Sequence, residues 1–361
     1  MASKKIFGIL FSSMLKKIFG VEESKNYKLP DLKKILVIKQ HNQLGDLLAC
    51  VSIFRAIKNN YPNCKITLLV SPENKDAVLK NKLLDKVIVF DKKELFFPSK
   101  FKNLYNLLKE EYDIVLVPTT VSISFTSNLL AGIANAKIKI GPSKLDGVLS
   151  NHSYFFTHRI PINWGTHPDS NVAEHVLNIL KPFRIDTKDF STEISYDNND
   201  LAYAKTFVDA ILKQDTSKLI GLHVGAGKPP NRWSCKKFCE LIELLDKNYK
   251  VKFYLTGTNA DLEIIEYIDA HTKIKLPRFI NKTIPEVAAL ISISDLFITN
   301  DTGVMHVAGA TSTPQISIFG PTNPFNWAPI GQNKLFVRKS EFIDENEVID
   351  VFNLCGKFLE K

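Results

Sequence analysis

Residues 296–319 read LFITNDTGVMHVAGATSTPQISIF, and this stretch decides how the rest of the chain is read. Two apolar runs, 296–299 and 315–319, are short enough for buried strands, and the segment between them has helical spacing. The pattern predicts strand, helix, strand, the repeating unit of a parallel sheet. The helix opens with Asp301, Thr302 and Gly303 and carries His306 in its first turns. A helix that only packs needs no such opening. If Asp301 ends the strand, Thr302 and Gly303 stand where backbone N–H groups lack partners and no side chain blocks a ligand, which suits a diphosphate. A plain cap formed by Asp301 and Thr302 is the competing account, and spacing alone leaves both open. Met305 reads as core, and Ala308, Gly309 and Ala310 read as small residues that let the helix lie close to the sheet.

The same alternation extends outward in both directions. From residue 34 it predicts strand 35–38, helix 47–57 stopping at Tyr61-Pro62, strand 65–70, a helical stretch at 76–80, strand 87–90, helix 101–110, strand 114–117 and an apolar helix through Leu129 and Leu130. Residues 141–190 are less regular, contain a helix-like 172–180, and read as an interdomain crossover. A second series follows: strand 218–224, helix 237–245, strand 251–255, helix 261–269, a short segment at 274–276, helix 285–293, and the quoted stretch. The expected fold class is α/β with two Rossmann-like domains and parallel sheets. The domains are placed at 29–185 and 186–361, after an extension of residues 1–28, with the last helix able to pack back on the first domain.

Composition bounds the partners. The 361 residues are 45% hydrophobic and 24% charged, enough for two cores and too balanced for a disordered or fibrous chain. A net charge of +9 points to an acidic partner such as a phosphorylated small molecule or an anionic membrane. Nucleic acid is disfavoured because the lysines are dispersed and no aromatic-basic cluster repeats. The five cysteines (Cys50, Cys64, Cys235, Cys239 and Cys355) form no CxxC pair, so neither a disulfide framework nor a zinc site is indicated. Cys235 and Cys239 read as reduced packing residues of a cytoplasmic protein.

The first 20 residues, MASKKIFGILFSSMLKKIFG, begin like a secretory signal. Their apolar core is short, Lys16 and Lys17 follow it, and no small-residue cleavage site appears, so the segment is expected to be retained. On a helical wheel Ile6, Phe7, Leu10, Phe11, Met14, Leu15 and Ile18 share a face, opposite Lys5, Ser12 and Lys16. Such a helix either lies in the plane of an anionic membrane or packs on the protein's own surface. No other apolar run approaches the roughly 20 residues that cross a bilayer.

In doubly wound sheets, ligands bind in the loops beyond the carboxyl ends of strands. Two further loops are informative. In QHNQLGD, residues 40–46, Gly45 lets the backbone approach a ligand, and Asp46 sits at the positive end of a helix, where it serves as a base or merely as a cap. His41 is a second candidate base, and Gln43 shares this loop. In GAGKPPNRW, residues 225–233, Gly225, Gly227, Lys228 and Arg232 bring backbone N–H groups and fixed cations to the front of a helix, a setting for phosphate oxygens. A flexible turn with two surface cations is the alternative there. Trp233 reads as a packing anchor. Neither GxGxxG nor a Walker loop is present, which argues against a nicotinamide oxidoreductase.

Taken together, ILVIKQHNQLGDLLACVSIFRAIKNNYP, GLHVGAGKPPNRWSCKKFCELI and FITNDTGVMHVAGATSTPQISIFGPTNPFNW resemble glycosyltransferase family 9, the lipopolysaccharide heptosyltransferases, over residues 34–331. The resemblance implies a GT-B architecture, two Rossmann-like domains facing a central cleft, and inverting transfer of heptose from ADP-heptose to a lipid-linked, phosphorylated core oligosaccharide at the inner membrane surface. It implies Asp46, in Leu44-Gly45-Asp46, as catalytic base. It implies Arg232 as the basic residue of the phosphate loop, Asp301, Thr302, Gly303 and His306 as nucleotide-sugar contacts, and Asp261 or Glu263 as the acid that holds the ribose. The departing diphosphate would be stabilised by cations and helix amides, so neither a metal nor a cofactor is expected. The loop before Gly45 is one residue longer than the commoner form, with Lys39 and Gln40-His41 where an arginine and small polar residues are usual. Another nucleotide sugar, a protein acceptor, or a non-catalytic nucleotide-sugar-binding protein are the alternatives.

Overall fold

The computed structural model describes residues 12–40 and 43–360, apart from the side chains of Leu95 and Phe96. The chain divides into two compact units, Met1–Phe190 and Ser191–Lys361, each built on its own sheet.

The first sheet contains β1 (Lys34–Lys39), β2 (Lys65–Val70), β3 (Lys86–Val89), β4 (Tyr112–Leu116), β5 (Ala136–Leu145), β6 (Val148–Leu149) and β7 (His158–Ile162). Its order is β3-β2-β1-β4-β5-β6, with β7 also on β5, and only the β5–β6 hairpin is antiparallel. Ile35 to Ile38 are buried because β1 lies between two parallel neighbours and is covered on both faces, so its sequence is a continuous apolar run instead of an alternation. Helix Val51–Asn60 lays Val51, Phe54 and Ile57 on this unit's interior. It stops before Pro62 because a residue preceding proline is pushed out of the α region, and Tyr61 sits at φ −138°, ψ 76°.

Residues 141–190 are not a crossover. β5 and β7 extend the first sheet through this region, and the β5–β7 register shifts between Pro142 and Lys144. A proline and a bulge inside a strand conceal it from periodicity. The helix expected at 172–180 is a single turn, Val172–His175, continued by a 3-10 stretch, and that expected at 76–80 is the 3-10 segment Pro72–Ala77. Residues 12–19 are helical; Leu15 is buried with Tyr154 and Phe155, while Met14 and Ile18 are exposed. The described end of the extension therefore packs on its own unit. Lys5, Ile6, Phe7, Leu10 and Phe11 lie outside the described residues. No helix among the described residues is long and apolar enough to cross a membrane.

The second sheet is all parallel: β8 (Lys218–His223), β9 (Val251–Gly257), β10 (Arg278–Ile280), β11 (Leu296–Asn300), β12 (Gln315–Ile318) and β13 (Lys334–Val337), in the order β10-β9-β8-β11-β12-β13. The segment expected at 274–276 is displaced to β10, beyond Pro277. Helix Asn198–Leu212 escaped the sequence reading because only Ala204 and Val208 of it are buried, too narrow a stripe to register as a period. The last helix, Val348–Leu359, places Val351, Cys355 and Leu359 in the second unit's core.

Both sheets wind the same way. Three strands step outward, and the fourth returns to the other side of the first. Each sheet thus has a switch point, between β1 and β4 and between β8 and β11, where neighbouring loops diverge and leave room for a ligand.

Candidate active site

At the first switch point, Asp46 is the third residue of helix Leu44–Ala49 and is buried. The residue at the helix cap is the exposed Gln43, whose side chain makes no capping bond. Asp46 does not cap this helix either. Its Oδ1 accepts a hydrogen bond from Thr120 Oγ1 at 2.5 Å, just beyond β4. Its Oδ2 is buried without a hydrogen-bond partner. Lys39, the last residue of β1, is fully buried with its Nζ 4.0 Å from that Oδ2 and donates to Thr120 Oγ1 at 3.4 Å. Trp164 Nε1 donates to the Thr120 carbonyl at 2.9 Å, and the Trp164 ring stacks on His175 with centroids 3.7 Å apart. Burial holds the His175 imidazole down at about 4, neutral at ordinary pH. Gly45 is buried beside Asp46. His41 lies outside the described residues.

The second switch point is built differently. The loop after β8 places Gly225 in the interior, with Gly227 and Lys228 exposed. Gly225 is required by close approach: a Cβ there would fall 2.0 Å from Asp261 Oδ1. Asp261 is buried, and its Oδ2 accepts from the Thr258 N–H at 2.8 Å and the Thr258 hydroxyl at 3.0 Å. It belongs to the loop cluster, whereas Glu263 is exposed in the first turn of the following helix. Arg232 Nε donates to the Ala226 carbonyl at 2.7 Å, which folds the guanidinium over its own loop.

The two loops are tied together by amides. Asn300, closing β11, donates to the carbonyls of Val224 and Gly225 at 2.9 and 3.3 Å. Asn231 donates to the Asp301 carboxylate at 2.9 Å and to its carbonyl at 3.1 Å. Burial raises Asp301 above the usual carboxylate range, against the opposing pull of the Thr322 hydroxyl and Lys228. Through Asn231, Asp301 ties the two loops together. Thr302 is the cap residue of helix Gly303–Gly309 and makes no side-chain capping bond, so the first N–H groups of the helix are not covered by it. His306 is half-buried, 6.3 Å centroid to centroid from Trp327. Gly309 abuts Pro329 instead of the sheet, and Met305 is buried with Phe319. Trp233 is buried, edge-on to Phe238 at 5.0 Å, with Nε1 on the Asn346 carbonyl at 3.0 Å.

The structure gathers Gly225, Arg232, Asp261, Asp301, Thr302 and Gly303 about one switch point and Gly45 and Asp46 about the other. Sequence reasoning missed Thr120, Asn231, Asn300 and Thr322. The signal for Thr120 was available, because a Thr119-Thr120 pair stands just past Val117-Pro118 at the end of β4, the strand that defines the switch point. Among the described residues, no group of three His, Cys, Asp or Glu side chains is placed to hold a metal.

Comparisons with known proteins accord with this geometry. Lipopolysaccharide heptosyltransferase 3 of Escherichia coli K12 is 28% identical over 303 residues, covering 80% of this chain and 83% of that protein. A glycosyl transferase family 9 structure from Veillonella parvula superposes with a TM-score of 0.77 at 20% identity, covering 94% of this chain and 99% of that one. The structure of E. coli ADP-heptose lps heptosyltransferase II gives 0.74 at 18% identity, covering 91% and 98%. The fold is the GT-B architecture of these structures. The model of glycosyltransferase family 9 (heptosyltransferase) matches residues 101–348, more than half of the chain and both switch points' fourth strands, and the protein belongs to that family of glycosyltransferases.

Proposed function

We propose that this protein transfers a heptose from ADP-heptose to a lipopolysaccharide core precursor, with inversion at the anomeric carbon and with Asp46 as general base. The observation that carries the reading is the free Oδ2 of a buried carboxylate at the end of β1, held by a hydroxyl instead of capping its helix. An acceptor sugar hydroxyl is a weak nucleophile at neutral pH; as it attacks the anomeric carbon, Oδ2 takes its proton. One displacement from the face opposite the diphosphate inverts the configuration. The charge that grows on the leaving ADP is met by Lys228, Arg232 and the amides of Thr302 and Gly303. Asp261 serves the nucleoside end from beneath Gly225, and His306 contacts the nucleotide sugar. Gln43 and Gly45 flank the acceptor.

The relatives' names support heptose and lipopolysaccharide, and the net charge of +9 suits a phosphorylated acceptor on an anionic inner membrane, with peripheral attachment from the cytoplasmic side. Because cations and amides carry the leaving-group charge, transfer is expected to continue in EDTA. The test measures nucleotide diphosphate release from ADP-heptose, UDP-sugars and GDP-sugars with a Kdo-bearing lipid acceptor. Acceptor-dependent ADP release that disappears in Asp46→Asn supports the reading. ADP binding without turnover of any donor would leave a nucleotide-sugar-binding protein instead.

A further inference from the structure

We infer that the two oxygens of Asp46 have separate tasks, and that Thr120 and Lys39 are the positioning residues that divide them. The inference rests on the reading of Asp46 as base. Thr120 Oγ1 spends its one proton on Oδ1 at 2.5 Å, so that oxygen is engaged and the carboxylate plane is fixed. Lys39 Nζ, 3.4 Å from Thr120 Oγ1, donates to the hydroxyl's lone pair and thereby fixes the direction in which the hydroxyl proton points. Oδ2 is left as the carboxylate oxygen without a hydrogen-bond partner, and Lys39 Nζ lies 4.0 Å from it, beyond hydrogen-bond reach.

Among the described residues, the groups around this carboxylate are few. β1 supplies Lys39. The segment after β4 supplies Thr120. The helix of Asp46 itself supplies the Cys50 thiol, which bonds the Asp46 carbonyl and not the carboxylate, and whose pKa burial pushes up to about 11. His175 stands behind Trp164 and is neutral. Lys39 is the cation paired with Asp46 among the described residues, and it is fully buried, where a lone ammonium is costly. A lysine kept inside β1 at that cost, with one carboxylate and one hydroxyl as its partners, is explained by the carboxylate it serves.

The experiment compares the full-length wild type with Thr120→Val, Thr120→Ser, Lys39→Met and Asp46→Asn, each checked for native folding by near-UV circular dichroism. Thr120→Val is expected to lower kcat by roughly tenfold to a hundredfold through misplacement of the base, with donor KM within about twofold, and Thr120→Ser to restore most of it. Lys39→Met lets the Thr120 hydroxyl turn, so kcat is expected to fall by about tenfold with donor KM within about twofold. A substrate-free readout accompanies these: the 13C carboxyl resonance of Asp46, assigned by its loss in Asp46→Asn, is displaced from its wild-type position in both Thr120→Val and Lys39→Met. Folded variants whose Asp46 resonance stays at its wild-type position overturn the inference, whichever donor the enzyme uses. An inactive Asp46→Asn beside unaltered Thr120→Val and Lys39→Met overturns the positioning roles and leaves the base standing. Turnover retained in Asp46→Asn removes the base and the inference together.

Discussion

The two switch points share a strand order and differ in what they do with it. At β1 and β4 the working groups are side chains sunk into the interior, a carboxylate, an ammonium and a hydroxyl within 4.0 Å of one another. At β8 and β11 the interior is occupied by glycine and by the amides of Asn231 and Asn300, while Lys228 stays in solvent and Arg232 is half-buried. One arrangement isolates a single proton acceptor. The other leaves an open, cationic rim over a rigid backbone. The same winding thus carries a buried carboxylate, ammonium and hydroxyl in one unit and a glycine- and amide-lined pair of loops in the other, because the winding fixes where loops meet and not which groups they carry.

The sharpest way to break the comparison is Asp46→Asn. On the proposed reading, loss of the general base is expected to lower kcat by about a thousandfold, with the Kd for ADP, measured by calorimetry, unchanged, since that reading assigns the nucleotide to the loops of the second unit. A comparable loss of ADP affinity would mean that the division of labour is wrong. Next in size is Arg232→Ala, which removes a charge-assisted donor worth about 2 kcal/mol and should weaken ADP binding roughly thirtyfold, less so at high salt. Gly225→Ala probes the backbone half of the same site. A Cβ 2.0 Å from Asp261 Oδ1 cannot be accommodated without moving the loop, so ADP binding should fall several-fold while the 13C carboxyl resonance of Asp46 stays where it was.

Sequence made the second site more legible than the first. DTG and GAGKPPNR announce themselves because glycines and cations at strand ends have few packing explanations, and both strands that lead into them, β8 and β11, have apolar centres and are buried along almost their whole length. In the first unit Asp46 was visible as an acid near a glycine, yet whether it capped the helix or reached elsewhere was not, since that depends on Thr120, 74 residues away in sequence. Long-range partners of this kind carry no local period. The same blindness hid β7, whose pairing with β5 passes through a bulge at Pro142, and helix Asn198–Leu212, which buries only two of its residues. Asn231 and Asn300 were passed over for a related reason: an asparagine in a loop reads as turn chemistry until the carbonyls it joins are in view.

The smallest expected effect is one of stability, and it tests how dry the first site is. His175 is buried against Trp164, its Nδ1 faces the Asn178 amide at 3.2 Å, and its Nε2 has no partner. Burial is the main cause of its pKa of about 4, with Asp146 pulling the other way and Lys181 and His167 adding to the depression. The unfolded chain, with histidine near 6.5, binds a proton there that the folded chain refuses, so stability is full above pH 6.5 and is lost as pH falls from 6.5 towards 4, by at most about 1.4 kcal/mol per pH unit. His152 and His223 are lowered by burial as well and contribute with the same sign, so the slope of wild type alone does not isolate one residue. The difference between wild type and His175→Gln in urea denaturation midpoint does. It should shrink steadily between pH 6.5 and 4.5, because the variant has no proton to exclude. A difference that stays constant over that range would show that water reaches the imidazole, and with it the wall of Trp164 that backs Thr120 and Asp46.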